Sequence, residues 1–381
     1  MRTLLALPVL CVLGAAGAAR ADQRQPRVDL VIALDTSGSM RGLIEATRRE
    51  LWNAVRLLGR AQPQPIVRVG LVTFGATRNG EASGWVRREL DLGTDLDAVA
   101  TRLFALPVGG SREYVARAVQ TATRELAWDQ DPSTLKILFV AGNESAAQDP
   151  RVSLSAALAE ARRRGIVVNS IFCGQPGARD AGGWRQVATL GAGLFSAIDH
   201  TTTVAARVSP YDDELTRLSR ELSATYMAFG ADGARRRAQQ AAADARAEAD
   251  GPAAAAERAA AKASAAYRNA DWDAVDALAA RGDTGTTTST TSTTSGASTT
   301  SGALEAQREA RRRVQARINE LAARRDTWLA QPTTPVAAAP AAPPPATTTP
   351  APRPAKRPAA MSEALSGALR RQATAQGYVI E

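Results

Sequence analysis

Asp35-Thr36-Ser37-Gly38-Ser39 is the stretch of this chain whose residue types and spacing point to chemistry. A D-x-S-x-S loop places one carboxylate and two hydroxyls on one side of a tight turn. All three are hard oxygen donors of the kind that Mg²⁺ or Mn²⁺ takes. The same residues can serve as a helix N-cap that needs no metal, because Ser and Asp oxygens accept from the first free N–H groups of a helix. Other chemistries lack the residues. The single histidine, His200, excludes every mechanism that needs two or more, and no nucleophile motif lies near it. Two cysteines, Cys11 and Cys173, cannot build a disulfide framework or a four-thiolate zinc site. Cys173 ends an apolar run and reads as a small buried hydrophobe. No nucleophile–base pair and no two-metal carboxylate cluster is visible, so the expected protein is not an enzyme.

The elements that must position this loop follow from hydrophobic periodicity. Residues 28–34 form a nearly continuous apolar run, as expected of a strand covered on both faces, and the D-x-S-x-S loop leaves its carboxyl end. A helix follows with Ile44, Leu51, Val55 and Leu58 on one face. Further strands are predicted over 66–74, 85–91 (more polar, suiting a sheet edge), 137–141, 166–173 and 194–198. Helices are predicted over 96–106, 113–127, 154–164 and 183–190. Strands alternating with helices of 10 to 15 residues give parallel βαβ units and an open, doubly wound, mostly parallel sheet. Ligands of such sheets sit at the carboxyl ends of the strands, where the Asp35 loop lies.

The segment Val28 to Met40, VDLVIALDTSGSM, resembles the start of a von Willebrand factor type A (VWA) domain with its metal-ion-dependent adhesion site. VGLVTF over 69–74 resembles the second strand, and LPVGGSREYVARAV over 106–119 the loop and helix that usually bring a threonine. The likeness spans residues 27 to about 200. It implies a six-stranded sheet with the third strand antiparallel, and a divalent cation, Mg²⁺ or Mn²⁺, whose shell is completed by an acidic side chain of a protein partner. Asp35, Ser37 and Ser39 match the first loop, and Ser111 stands where the threonine is usual. The third loop departs. Where the family has Thr-Asp-Gly this chain reads Ala141-Gly142-Asn143-Glu144, so the aspartate falls on Gly142, and Asn143 or Glu144 would have to offer an oxygen instead. The metal set implied is therefore Asp35, Ser37, Ser39, Ser111 and Glu144. A metal-free scaffold in the cell envelope whose helical tail mediates assembly is the alternative.

Composition frames the rest. The net charge of +9 is spread thinly along the chain, and only three of the 47 basic residues are lysines, so no nucleic-acid partner is expected. Arg2, the apolar run 4–16 and Ala19-Arg20-Ala21 read as a secretory signal cleaved after Ala21, which implies a periplasmic or extracellular protein. No other stretch reaches 18 apolar residues, so no transmembrane segment is expected. Residues 22–210 form the α/β domain, and 211–281 an Ala-rich helical extension. Within it, 214–229 is amphipathic, whereas 230–266 holds no Val, Ile, Leu, Met, Phe, Trp or Tyr and is expected to be solvated or loosely docked. A Ser/Thr-rich linker covers 282–302. An amphipathic helix at 303–330 has Leu304, Val314, Ile318, Leu321 and Trp328 at heptad positions interrupted by Arg311 and Arg325. It can self-associate as a coiled coil or dock within the chain. Residues 331–360 hold ten of the 20 prolines and form an extended spacer, and 361–381 a short C-terminal segment without an assigned role.

Overall fold

The computed structural model describes residues 25–198, 207–283, 297–331 and 361–380. The expected signal segment with Cys11, the residue His200 and most of both expected linkers lie outside the described residues.

In chain order the α/β part runs β1 (Arg27–Asp35), α1 (Arg41–Gly59), the two-residue β2 (Ala61–Gln62), β3 (Ile66–Phe74), β4 (Val86–Gly93), α2 (Leu96–Phe104) and α3 (Val115–Glu125). It continues with β5 (Leu135–Gly142), α4 (Leu154–Arg163), β6 (Ile166–Cys173), α5 (Ala181–Leu190) and β7 (Ala192–Ile198). The tail adds α6 (Asp212–Ala224), α7 (Gly233–Ala249), α8 (Pro252–Ala263), α9 (Ala274–Asp283), α10 (Ala297–Ala330), α11 (Met361–Ala375) and β8 (Val379–Ile380). Six strands form one sheet in the order β4-β3-β1-β5-β6-β7, parallel except for the edge strand β4. The expected doubly wound, mostly parallel sheet with its third strand antiparallel is the one observed.

β1 is central because its sequence suits burial on both faces. Val28, Leu30, Ile32 and Leu34 face α1, while Val31 and Ala33 face the layer of α3, α4 and α5. Asp29 in the same strand is tolerated because Arg68 reaches both of its oxygens (2.8 and 2.5 Å) and the Asp129 N–H adds a third bond (2.8 Å).

The tail corrects the expectation of a loosely docked extension. Helix α8 packs on α1 and α6, and Ala253, Ala256, Ala259, Ala260 and Ala261 are buried with almost no accessible surface. Small residues let helices approach closely, so the alanines are contact surface rather than filler. Buried cations supply what large apolar side chains do not. Arg258 lies over the Trp52 ring of α1 (4.4 Å), pairs with Asp97 (2.7 Å) and Asp244 (2.8 Å), and donates to the Tyr267 hydroxyl (3.2 Å). Lys262, fully buried, pairs with the same Asp244 (2.6 Å).

Arg311 and Arg325, read as interruptions of a seam, are its anchors. They are buried beside Ile318 and Leu321. Arg311 lies 4.0 Å from the centre of the Tyr226 ring and pairs with Asp273 and Asp276; Arg325 pairs with Asp212 (2.7 Å) and Glu257. α10 therefore docks within the chain on α6, α8 and α9, and that face is not free for a coiled coil. The C-terminal segment is part of the fold as well. α11 lies on α1 and β7, and β8 pairs antiparallel with β2. Among the described residues no helix is long and apolar enough to cross a membrane.

Candidate functional site

Four loops meet at the carboxyl ends of β1, β3 and β5, and backbone hydrogen bonds fasten three of them. Thr36 N–H donates to the Phe74 carbonyl (2.8 Å), Gly38 N–H to Gly110 (3.1 Å), Gly109 N–H to Thr36 (3.0 Å) and Thr77 N–H to Gly109 (3.0 Å). Glycine is required where these loops cross. A Cβ on Gly75, whose φ is +90°, would stand 2.6 Å from Asp35 Oδ1, and one on Gly110, φ +117°, 2.2 Å from the Gly75 carbonyl oxygen.

Within this frame Asp35 is wholly buried, and its Oδ1 accepts from the Ser37 N–H (2.7 Å). The Ser37 and Ser39 hydroxyls lie 3.4 Å apart, and Asn143 Nδ2 donates to Ser39 Oγ (3.1 Å). The third loop thus meets the first through Asn143. Glu144 is exposed and accepts from Gln148 Nε2 (2.9 Å), and Gln148 Oε1 in turn accepts from the Glu113 N–H (3.2 Å). Ser111 is exposed on the second loop and stands outside this hydrogen-bonded group.

Glu113 was not singled out in the sequence. Two residues beyond Ser111, at the entry to α3, it is 1% exposed, and neither carboxylate oxygen has a hydrogen-bond partner among the described residues. Asp35 Oδ2 and Asn143 Oδ1 are likewise buried and unpartnered. On the same strand, by contrast, both oxygens of the buried Asp29 are engaged. Burial pushes the Asp35 carboxyl up to about 6 despite the hydrogen bond from the Ser37 N–H. Burial, followed by the nearby Asp35 charge, pushes Glu113 up to about 9.

Gly142 is where an aspartate would stand, and the room is taken. A Cβ there would lie 3.0 Å from Trp184 Cη2 and 3.2 Å from the Asp35 Cβ. Trp184 is fully buried and held by its Nε1–H to the Glu144 carbonyl (2.7 Å). Among the described residues no three His, Cys, Asp or Glu side chains are grouped to hold a metal ion. The donors do suit a hard divalent cation, with two carboxylates, two hydroxyls and the Asn143 amide oxygen, and three orphaned carboxylate oxygens pass that test.

No curated protein matches the chain in sequence. Among solved structures it is similar to a von Willebrand factor type A protein from Catenulispora acidiphila (18% identity, TM-score 0.37, covering 47% of this chain and 40% of that one). It is also similar to proximal thread matrix protein 1 from the mussel byssus with a zinc-occupied MIDAS motif (13%, 0.38, 47% and 43%). A third is the SpRpn10 VWA domain (13%, 0.35, 48% and 99%). This chain thus spans less than half the length of the first two. Residues 29–189 match the family model of the von Willebrand factor type A domain. The chain carries a von Willebrand factor type A domain, a protein-interaction module, over those residues.

Proposed function

We propose that the chain is an exported, non-enzymatic binding protein that engages a protein partner through a divalent cation, Mg²⁺ or Mn²⁺, at the carboxyl edge of the sheet. Asp35, Ser37, Ser39 and Glu113 would hold the cation, Ser111 and Glu144 would stand at the rim, and an acidic side chain of the partner would complete the shell. The observation that carries this reading is the set of buried, unpartnered oxygens on Asp35 and Glu113 beside two serine hydroxyls. Two carboxylates buried side by side are costly to ionise together, and a cation relieves both at once. Export rests on the N-terminal 21 residues of the sequence.

Melting in millimolar Mg²⁺ or Mn²⁺ tests it. At about ten times Kd a cation bound only by the folded state adds about 1.4 kcal/mol. Asp35→Asn keeps an acceptor for the Ser37 N–H but loses the charge, and should abolish that gain with the fold intact. Glu113→Gln should raise the stability of the cation-free protein and weaken the gain. No response of the wild type, with or without a partner, would sink the metal. The second reading, a metal-free scaffold in the envelope, would then stand.

A further inference from the structure

α11 and β8 reach the rest of the chain through the 29 residues 332–360, ten of them proline. Yet the two ends of this connection sit together, since Leu329 of α10 and Ser366 and Arg370 of α11 line one cavity of about 240 Å³. Any chain of 29 residues reaches at most on the order of 100 Å when fully extended. Ends that line one cavity can be joined without using that full reach.

The surface that receives this segment is self-contained. Leu365, Leu369 and Ala373 are buried, and α11 meets α1 and β7, while among the described residues β8 pairs with β2 alone. One polar match sets the register. Asn169, buried in β6, donates to Gln372 Oε1 (3.1 Å) and accepts from Gln372 Nε2 (2.7 Å). The seam toward α10 is poorly closed. Around the cavity Asn53 Oδ1, Arg56 Nε and Glu257 Oε2 are buried without hydrogen-bond partners.

We propose that α11–β8 is an exchangeable clasp whose alternative acceptor is a second copy of this chain. Reciprocal exchange gives a closed two-fold dimer that keeps every clasp contact. Because those contacts are the same in both states, the balance is set by the effective concentration of the tethered clasp, of order 1 mM for linked modules. The chain is then monomeric near 10 μM and about half exchanged near 1 mM, and anything that gathers copies at one surface drives the exchange.

The Asn169–Gln372 pair supplies a test in the full chain. One population carries Asn169→Asp, the other Gln372→Lys. Each alone has an altered clasp contact. A mixed dimer has one ion pair and one native pair, the best combination available. Native mass spectrometry of the mixture at about 0.1 mM should show heterodimers about tenfold above the homodimers of either population alone. Equal dimerisation of mixed and unmixed samples would assign association to another surface and overturn the proposal, and so would a monomeric mixture of folded variants. Should either variant fail to fold, wild-type chains with donor and acceptor dyes on residue 376 and on residue 64 near β2 decide. Energy transfer between different chains that rises toward 1 mM supports exchange, and its absence at 1 mM rejects it.

Discussion

Around Asp35 each side chain is held by a neighbour that a different residue would displace. Gly142 is the sharpest case, because β5 runs so close to Trp184 that even a methyl group is crowded. Restoring the family's acid here does not rebuild the family's site. Gly142→Asp is expected to lower stability by about 2–3 kcal/mol in urea unfolding, through overpacking against the Trp184 ring and a third carboxylate beside Asp35. It should not strengthen any Mg²⁺ response. Asp35, Ser37 and Ser39 were legible in the sequence because they alternate within one short loop. Glu113 was not, since what distinguishes it is burial produced by three loops meeting. Its only local sign was a carboxylate two residues past the Ser111 position and directly before the apolar face of α3.

At the scale of elements, legibility followed the size of the side chains. The strands read as apolar runs because both faces are covered, and Ile166–Cys173 was read to the residue. α8 has no such contrast, since an alanine that packs and one that faces water look alike in sequence, and only the neighbouring helices decide. The polar anchors were misread for a related reason, because a buried arginine is recognisable only from the carboxylates that come from other helices. Lys262 makes this measurable. Burial, reinforced by Arg258, pulls its pKa down from 10.5 to about 8 despite the pairing with Asp244. Between those values the unfolded chain binds more protons than the folded one, so stability rises with pH across the window. Wild type should gain about 2 kcal/mol relative to Lys262→Met between pH 7.5 and 9.5, read as the difference in urea-derived stability.

On the scale of the whole molecule the VWA domain and its tail are one body. Trp52, Arg56 and Leu57 of α1 turn away from the sheet toward α8, α10 and α11, so removing the tail uncovers the back of a helix that the sheet needs. A chain ending at residue 251 retains α6 and α7 but loses α8, α10 and α11. It should melt well below the full chain and self-associate, visible by scanning calorimetry and light scattering. Equal melting temperatures would mean that the tail is an accessory rather than a layer of the fold.

Helix α1, enclosed on one side by β1 and on the other by the tail, has consequences in time as well as in energy. A surface helix such as α3 can fray or lift toward solvent while the sheet stays closed, so its amides exchange with deuterium through small openings. The segment from Leu51 to Leu58 has no such route, because lifting it means parting it from the sheet or stripping off the tail. Its amides should exchange as slowly as those of β1, with the free energy of global unfolding. Exchange measured across the molecule would then find the slowest helix at the very element that begins just after the Asp35 loop, and so the loop rests on the least yielding part of the chain.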